Sequence, residues 1–177
     1  MERIGTGVWL LWLAVAGIAL LRRDAQRVRG TDPLMARVRG SIVIHRPVEE
    51  VFDAVADQTN EPRYNPSMTV SRQVTDGPIG VGTRFVATVL SRGRPLGVDI
   101  EVTRYERPSV LGSRSVMAGS TVVGELRLEP EASGTRLTWD WDVTVAGPAR
   151  LLAPLVVVVG RRQERAIWAG LKDWLEQ

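Results

Sequence analysis

Residues 135–146 read TRLTWDWDVTVA. Leu137, Trp139, Trp141, Val143 and Val145 occupy every second position, with Thr138, Asp140, Asp142 and Thr144 between them. A period of two belongs to an extended strand with one face on a core and the other in water. Ser133-Gly134 before it and Gly147-Pro148 after it supply turn chemistry. A strand presenting two indoles on one face needs a second layer to pack against. The chain that follows provides one. In residues 148–176, Leu152, Leu155, Val156, Val159, Ile167, Leu171 and Trp174 recur at helical spacing, which predicts one helix of roughly 40 Å. Pro154 either kinks this helix or marks its true start.

The same alternation runs backward along the chain. It predicts strands at about 68–75, 83–91, 97–106, 111–118 and 121–129. Asp76-Gly77-Pro78, Arg92-Gly93-Arg94-Pro95, Arg107-Pro108 and Gly119-Ser120 punctuate them. Such short links favour an antiparallel meander. Gly77, Gly80 and Gly82 precede a strand with no Lys-Ser/Thr behind them, so they read as a hairpin turn rather than a phosphate loop. Further back, Val38, Ile42 and Ile44 alternate with Arg39, Ser41 and His45 over residues 38–45, giving a first strand. Pro47 then opens a helix with Glu49 and Glu50 in its first turn and an apolar stripe of Val48, Val51, Phe52, Val55 and Ala56. Glu61 to Asn65 form a second helical turn ended by Pro66. The expected fold is therefore α+β: a curved antiparallel sheet of about seven strands, two short helices after the first strand, and a long C-terminal helix across the concave face. Helix and curved sheet cannot close tightly everywhere, so a cavity between them is expected.

Four segments carry a resemblance. Ile42-Val43-Ile44-His45-Arg46-Pro47-Val48-Glu49-Glu50-Val51-Phe52 resembles the opening of the SRPBCC (START-like, helix-grip) superfamily. Glu61-Pro62-Arg63-Tyr64-Asn65-Pro66 resembles its next segment, where members often carry Trp-Asn in place of Tyr64-Asn65. Gly80-Val81-Gly82-Thr83-Arg84-Phe85 is similar to its glycine turn into a strand, and Gly134-Thr135-Arg136-Leu137-Thr138-Trp139 to its signature before the long helix. The likeness spans residues 38–176 and is nearest to the polyketide cyclase/dehydrase-like group. It implies a helix-grip domain with a hydrophobic-ligand cavity and does not imply one reaction.

Residues 5–21, GTGVWLLWLAVAGIALL, lie outside that likeness. They form an uncharged run of 17 residues, about 25 Å as a helix and at the lower limit for crossing a bilayer. Arg22, Arg23, Arg27 and Arg29 follow. The expectation is a single-pass anchor over 5–21, a basic juxtamembrane linker over 22–37, and a START-like domain over 38–177 on the cytoplasmic side. A cleaved export signal is the rival reading. The linker arginines suit anionic headgroups or serve only as a topology signal.

Composition removes whole classes of chemistry. The chain has 177 residues, no cysteine and one histidine, His45. Disulfides, thiolate zinc sites, cysteine nucleophiles and multi-imidazole metal sites are excluded. The net charge of +3 is uneven: residues 22–46 hold seven arginines against Asp24 and Asp32, while residues 47–177 hold 15 basic and 17 acidic side chains. No basic face of the folded body follows, so nucleic acid is not an expected partner. No cofactor or metal is expected either.

His45 reads as a surface or turn histidine, and Asp140 and Asp142 as a solvated face opposite the tryptophans. Phe85, Val89, Met117, Trp139 and Trp141 fall on inward faces, where core packing and cavity lining are both open readings. Trp168 and Tyr64 are the helical candidates for the same cavity. Arg114, if inward, would bind a ligand carboxylate or phosphate; otherwise it is a solvated arginine. These eight residues form the candidate ligand site, with no catalytic residue assigned. The expected function is a membrane-tethered domain that binds or carries a hydrophobic small molecule or lipid. The alternative is a polyketide cyclase/dehydratase-like enzyme.

Overall fold

In the computed structural model, residues 34–91, 93–117, 120–145 and 153–177 are described. Strand β1 (Leu34–Ile44) leads into helix α1 (Val48–Ala56), a 3-10 turn (Gln58–Asn60) and the single-turn helix α2 (Glu61–Tyr64). Strands β2 (Met68–Gln73), β3 (Arg84–Ser91), β4 (Arg94–Glu106), β5 (Val110–Met117), β6 (Ser120–Glu131) and β7 (Gly134–Val145) follow, then helix α3 (Ala153–Leu175). All neighbouring strands pair antiparallel in the order β1-β7-β6-β5-β4-β3-β2. The meander and the seven-strand count are as the alternation requires. Only β1 leaves chain order, because the helical segment after it carries the chain to the opposite edge of the sheet.

Two strands begin several residues earlier than their patterns predict. Strand β1 starts at Leu34, inside the expected linker, because β7 is long enough to pair with it through Val145. Arg37 reinforces that extension with two hydrogen bonds to Asp140, at 2.7 and 2.6 Å, and Arg39 adds a third at 3.0 Å. The Arg37 guanidinium is the main reason that the Asp140 carboxyl falls to about 2. Strand β4 starts at Arg94 and includes Pro95, read from sequence as turn. Pro95 pairs with Leu90 of β3, whereas pairing with β5 begins only at Asp99, so the missing N–H faces no neighbouring strand. Pro47 caps α1 rather than entering it, and Pro154 falls in the first turn of α3.

The expected membrane helix over 5–21 and the linker up to residue 33 lie outside the described residues. Among the described residues, no helix is long and apolar enough to cross a membrane.

The core lies on the inner face of the sheet. Val38, Ile44, Phe85, Val89, Leu137 and Trp139 are almost wholly buried, and Phe52 from α1 meets Tyr105 edge to face at 5.2 Å. Trp139 fits because its cross-strand partner is Gly40, where a Cβ would collide with the indole ring. Trp141 sits in the same way opposite Gly124. The end of α3 is fixed to β1 by polar contacts: Lys172 Nζ donates to the Val43 carbonyl at 2.8 Å, and the His45 N–H donates to Glu176 Oε1 at 2.7 Å. Gly170 lets α3 approach α2, since a Cβ there would meet the Tyr64 carbonyl. Gly170→Ala is therefore expected to lower stability by about 1–3 kcal/mol through overpacking, measured by urea unfolding. An unchanged midpoint would show that the contact is not close in solution.

Candidate functional site

A cavity of about 180 Å³ lies between the sheet and α3. That is far more than the about 10–15 Å³ a single water needs, though below the about 300 Å³ at which drug-sized pockets begin. Its origin is legible in β5. Leu111 and Met117 are large inward side chains, but Ser113 and Ser115 between them are small, and both line the void. Val98 and Ile100 of β4, and Val122 and Leu126 of β6, flank them. α1 contributes Val55, and α3 closes the space with Gln163, Glu164, Ile167 and Trp168. The aromatics do not fill it. Trp139, Trp168, Tyr64 and Trp174 form a packed series at one end, with ring centroids 5.8–6.5 Å apart.

Five of the eight residues predicted from sequence line this cavity: Tyr64, Val89, Met117, Trp141 and Trp168. Phe85 and Trp139 do not. Both are only 1% exposed and pack in the core beside it. Arg114 is outside it altogether. It lies between Ser113 and Ser115 in a strand, so the alternation that turns the serines inward turns Arg114 to solvent, where it is exposed. A ligand carboxylate cannot meet it there. His45 is a half-exposed residue at the strand end, with Nδ1 3.0 Å from Glu176. Asp140 and Asp142 face the arginines on the outer surface. Among the described residues, no group of three His, Cys, Asp or Glu could hold a metal.

The polar part of the cavity consists of residues that sequence reasoning passed over. Glu164 Oε2 accepts the indole N–H of Trp141 at 3.0 Å and of Trp168 at 2.9 Å. Despite these donors, burial raises the Glu164 carboxyl to about 7, with the charge of nearby Glu61 adding to the effect. Glu61 is likewise raised by burial, partly offset by the Asn65 side-chain amide, which donates to Glu61 Oε1 at 2.7 Å. Burial pushes the Tyr64 phenol well up, and the carboxylates of Glu61, Glu164 and Asp57 push it further. Gln163 is 3% exposed, and among the described residues its Oε1 has no hydrogen-bond partner. One signal was available in the sequence. Glu164 stands three, four and seven residues before Ile167, Trp168 and Leu171, which puts a carboxylate on the apolar stripe of an amphipathic helix.

Residues 35–176 match the family described as polyketide cyclase / dehydrase and lipid transport. The chain belongs to this family. Solved structures agree on the fold of this family member. A START superfamily protein from Mycobacterium smegmatis superposes with a TM-score of 0.70 at 17% identity, covering 80% of this chain and 97% of the other. The Zhui aromatase/cyclase from a Streptomyces strain gives 0.68 at 16% identity, covering 80% and 94%. A protein from Thermus thermophilus gives 0.64 at 20% identity, covering 77% and 94%. No curated protein matches the sequence.

Proposed function

We propose that this domain binds a small, largely apolar molecule between the sheet and α3, as a carrier or receptor rather than by turning it over. The observation that carries this reading is the void itself, about 180 Å³ lined mainly by aliphatic and aromatic side chains at a position that packing could have filled. Family membership is consistent with it. The uncharged segment over residues 5–21 supports an accompanying membrane anchor with the domain on the cytoplasmic side, which suits a ligand that partitions into the bilayer. The acidic balance of the body supports no nucleic-acid partner. A C-terminal reporter active only in the cytoplasm is the expected topology result, and activity of an export-dependent reporter would reverse it.

The binding reading is tested by extraction. Denatured full-length protein is expected to release a lipophile at about one per chain, identified by mass spectrometry. Ser115→Phe, which puts a ring into the void, is expected to remove it while keeping a cooperative unfolding transition. Absence of any such compound, together with no shift in the emission of Trp141 and Trp168 when apolar probes are titrated, would defeat the proposal.

One observation favours the enzymatic alternative. Glu164 titrates near neutrality inside the cavity, as a general acid or base must. A cyclase or dehydratase would use it on an enolisable substrate, and loss of turnover in Glu164→Gln with ligand affinity retained would decide for that reading.

A further inference from the structure

The cavity has a chemical polarity that narrows its ligand. Its lining includes two carboxyl groups, Glu61 and Glu164, together with the Tyr64 phenol, whose titration both carboxylates oppose. It also includes Gln163, whose buried amide oxygen has no partner among the described residues. Among the described residues, none that line the cavity is Lys, Arg or His, and the titratable lining groups come from α2 and α3. The nearby arginine that would have reversed this balance, Arg114, faces solvent on the other side of the sheet.

Buried acceptors without a compensating donor are unfavourable unless a ligand supplies one. Among the described residues, Gln163 Oε1 is such an acceptor, and both indole donors of the half-buried Glu164 converge on its Oε2. An anionic head, whether a fatty-acid carboxylate or a phosphate, would add charge of the same sign in a site of low dielectric. A cationic head would be attracted to both carboxylates.

Resting on the binding reading above, we infer that the cavity selects an apolar molecule carrying a protonated amine, with the amine held between Glu61 and Glu164 and the apolar part over Ser113 and Ser115. Binding of the amine draws Glu164 into its ionised form, so near pH 7 complex formation releases a fraction of a proton. Burial raises the Glu61 carboxyl in the same direction, while Tyr64 stays protonated.

The test is a calorimetric titration of the full chain with three probes that share a phenyl tail: 2-phenylethylamine, 3-phenylpropionate and propylbenzene. The amine is expected to bind at least tenfold more tightly than propylbenzene at pH 7.5, and 3-phenylpropionate more weakly than either. The amine's apparent enthalpy is expected to differ between phosphate and Tris buffers by the proton released. Glu164→Gln, which keeps an acceptor for the indoles, is expected to reduce the amine's advantage at least threefold. Glu61→Gln combined with Glu164→Gln is expected to remove the amine's advantage over propylbenzene measured on the same variant. Propylbenzene binding as tightly as the amine, or 3-phenylpropionate binding most tightly, would overturn the inference and leave the cavity reading standing. So would an amine preference that survives the double substitution. No binding of any probe would overturn both.

Discussion

Trp139→Ala is expected to lower the thermal unfolding midpoint by about 10 °C, followed by circular dichroism. Trp139 is 1% exposed, with its ring against Gly40 on one side and Trp168 at 5.8 Å on the other. Neither neighbour can fill the vacated space. Gly40 has no side chain, and Trp168 is tied by its indole N–H to Glu164. Large-to-small replacement at such a site costs about 3–5 kcal/mol, and a domain of this size shifts by about 2–4 °C per kcal/mol. Trp139→Phe separates volume from polarity. Among the described residues the Trp139 indole N–H has no acceptor, so phenylalanine removes an unsatisfied donor worth about 1–3 kcal/mol together with part of the ring. The phenylalanine variant is therefore expected to retain most of the stability that alanine loses. A midpoint for Trp139→Ala within about 2 °C of the parent, less than a single kcal/mol would produce, would show that the indole is not a structural element. Because Trp139 lies beside the cavity and not on its lining, its loss should act on ligand retention only through the fold.

Glu164→Gln is expected to stabilise the protein at alkaline pH and to do so progressively less as pH falls. The Glu164 carboxyl titrates near 7 in the folded domain against an ordinary value of 4.5. Its raised value means that the folded state holds a proton the unfolded chain has already released. Stability therefore falls as pH rises from about 4.5 to about 7 and is level above that. Glutamine has no such titration. The difference in unfolding midpoint between variant and parent should open by about 5 °C between pH 5 and pH 8, since each unit of pKa corresponds to about 1.4 kcal/mol. Glu61 contributes a slope of the same sign to both proteins, and because the two carboxyls oppose each other's ionisation, the variant's smaller Glu61 slope widens the gap in the same direction. A constant gap across that range would place the Glu164 carboxylate in water.

Glu164 also shows why the site was less legible than the fold. Its ordinary surroundings in sequence are Arg161, Arg162, Gln163 and Arg165, which read as a solvated helical turn. Only the two indoles, one from β7 and one from the next turn of the same helix, turn it into a buried acceptor. Tyr64, Val89, Met117, Trp141 and Trp168 were legible because strand and helix periodicities assign a face directly. Trp139 and Phe85 share those faces but sit deeper in the core, and periodicity gives no depth. Arg114 had no clean pattern around it, because the inward residues on either side are serines, which carry no hydrophobic signal.

The order and type of the elements, the inner face of each strand and membership of the helix-grip class can all be read from the chain alone. Side-chain alternation, turn residues and caps act over a few residues and are written locally. Where the first strand pairs, where matter is missing and what chemistry surrounds the gap emerge only on folding. Those depend on residues far apart in sequence meeting across the sheet: Leu34 with Val145, Ser113 and Ser115 beneath Glu164 and Trp168, Gly40 against Trp139. A void is set by the volumes of side chains from many elements at once, and the acidity of a carboxyl by what encloses it, so neither is a property of any local stretch of sequence.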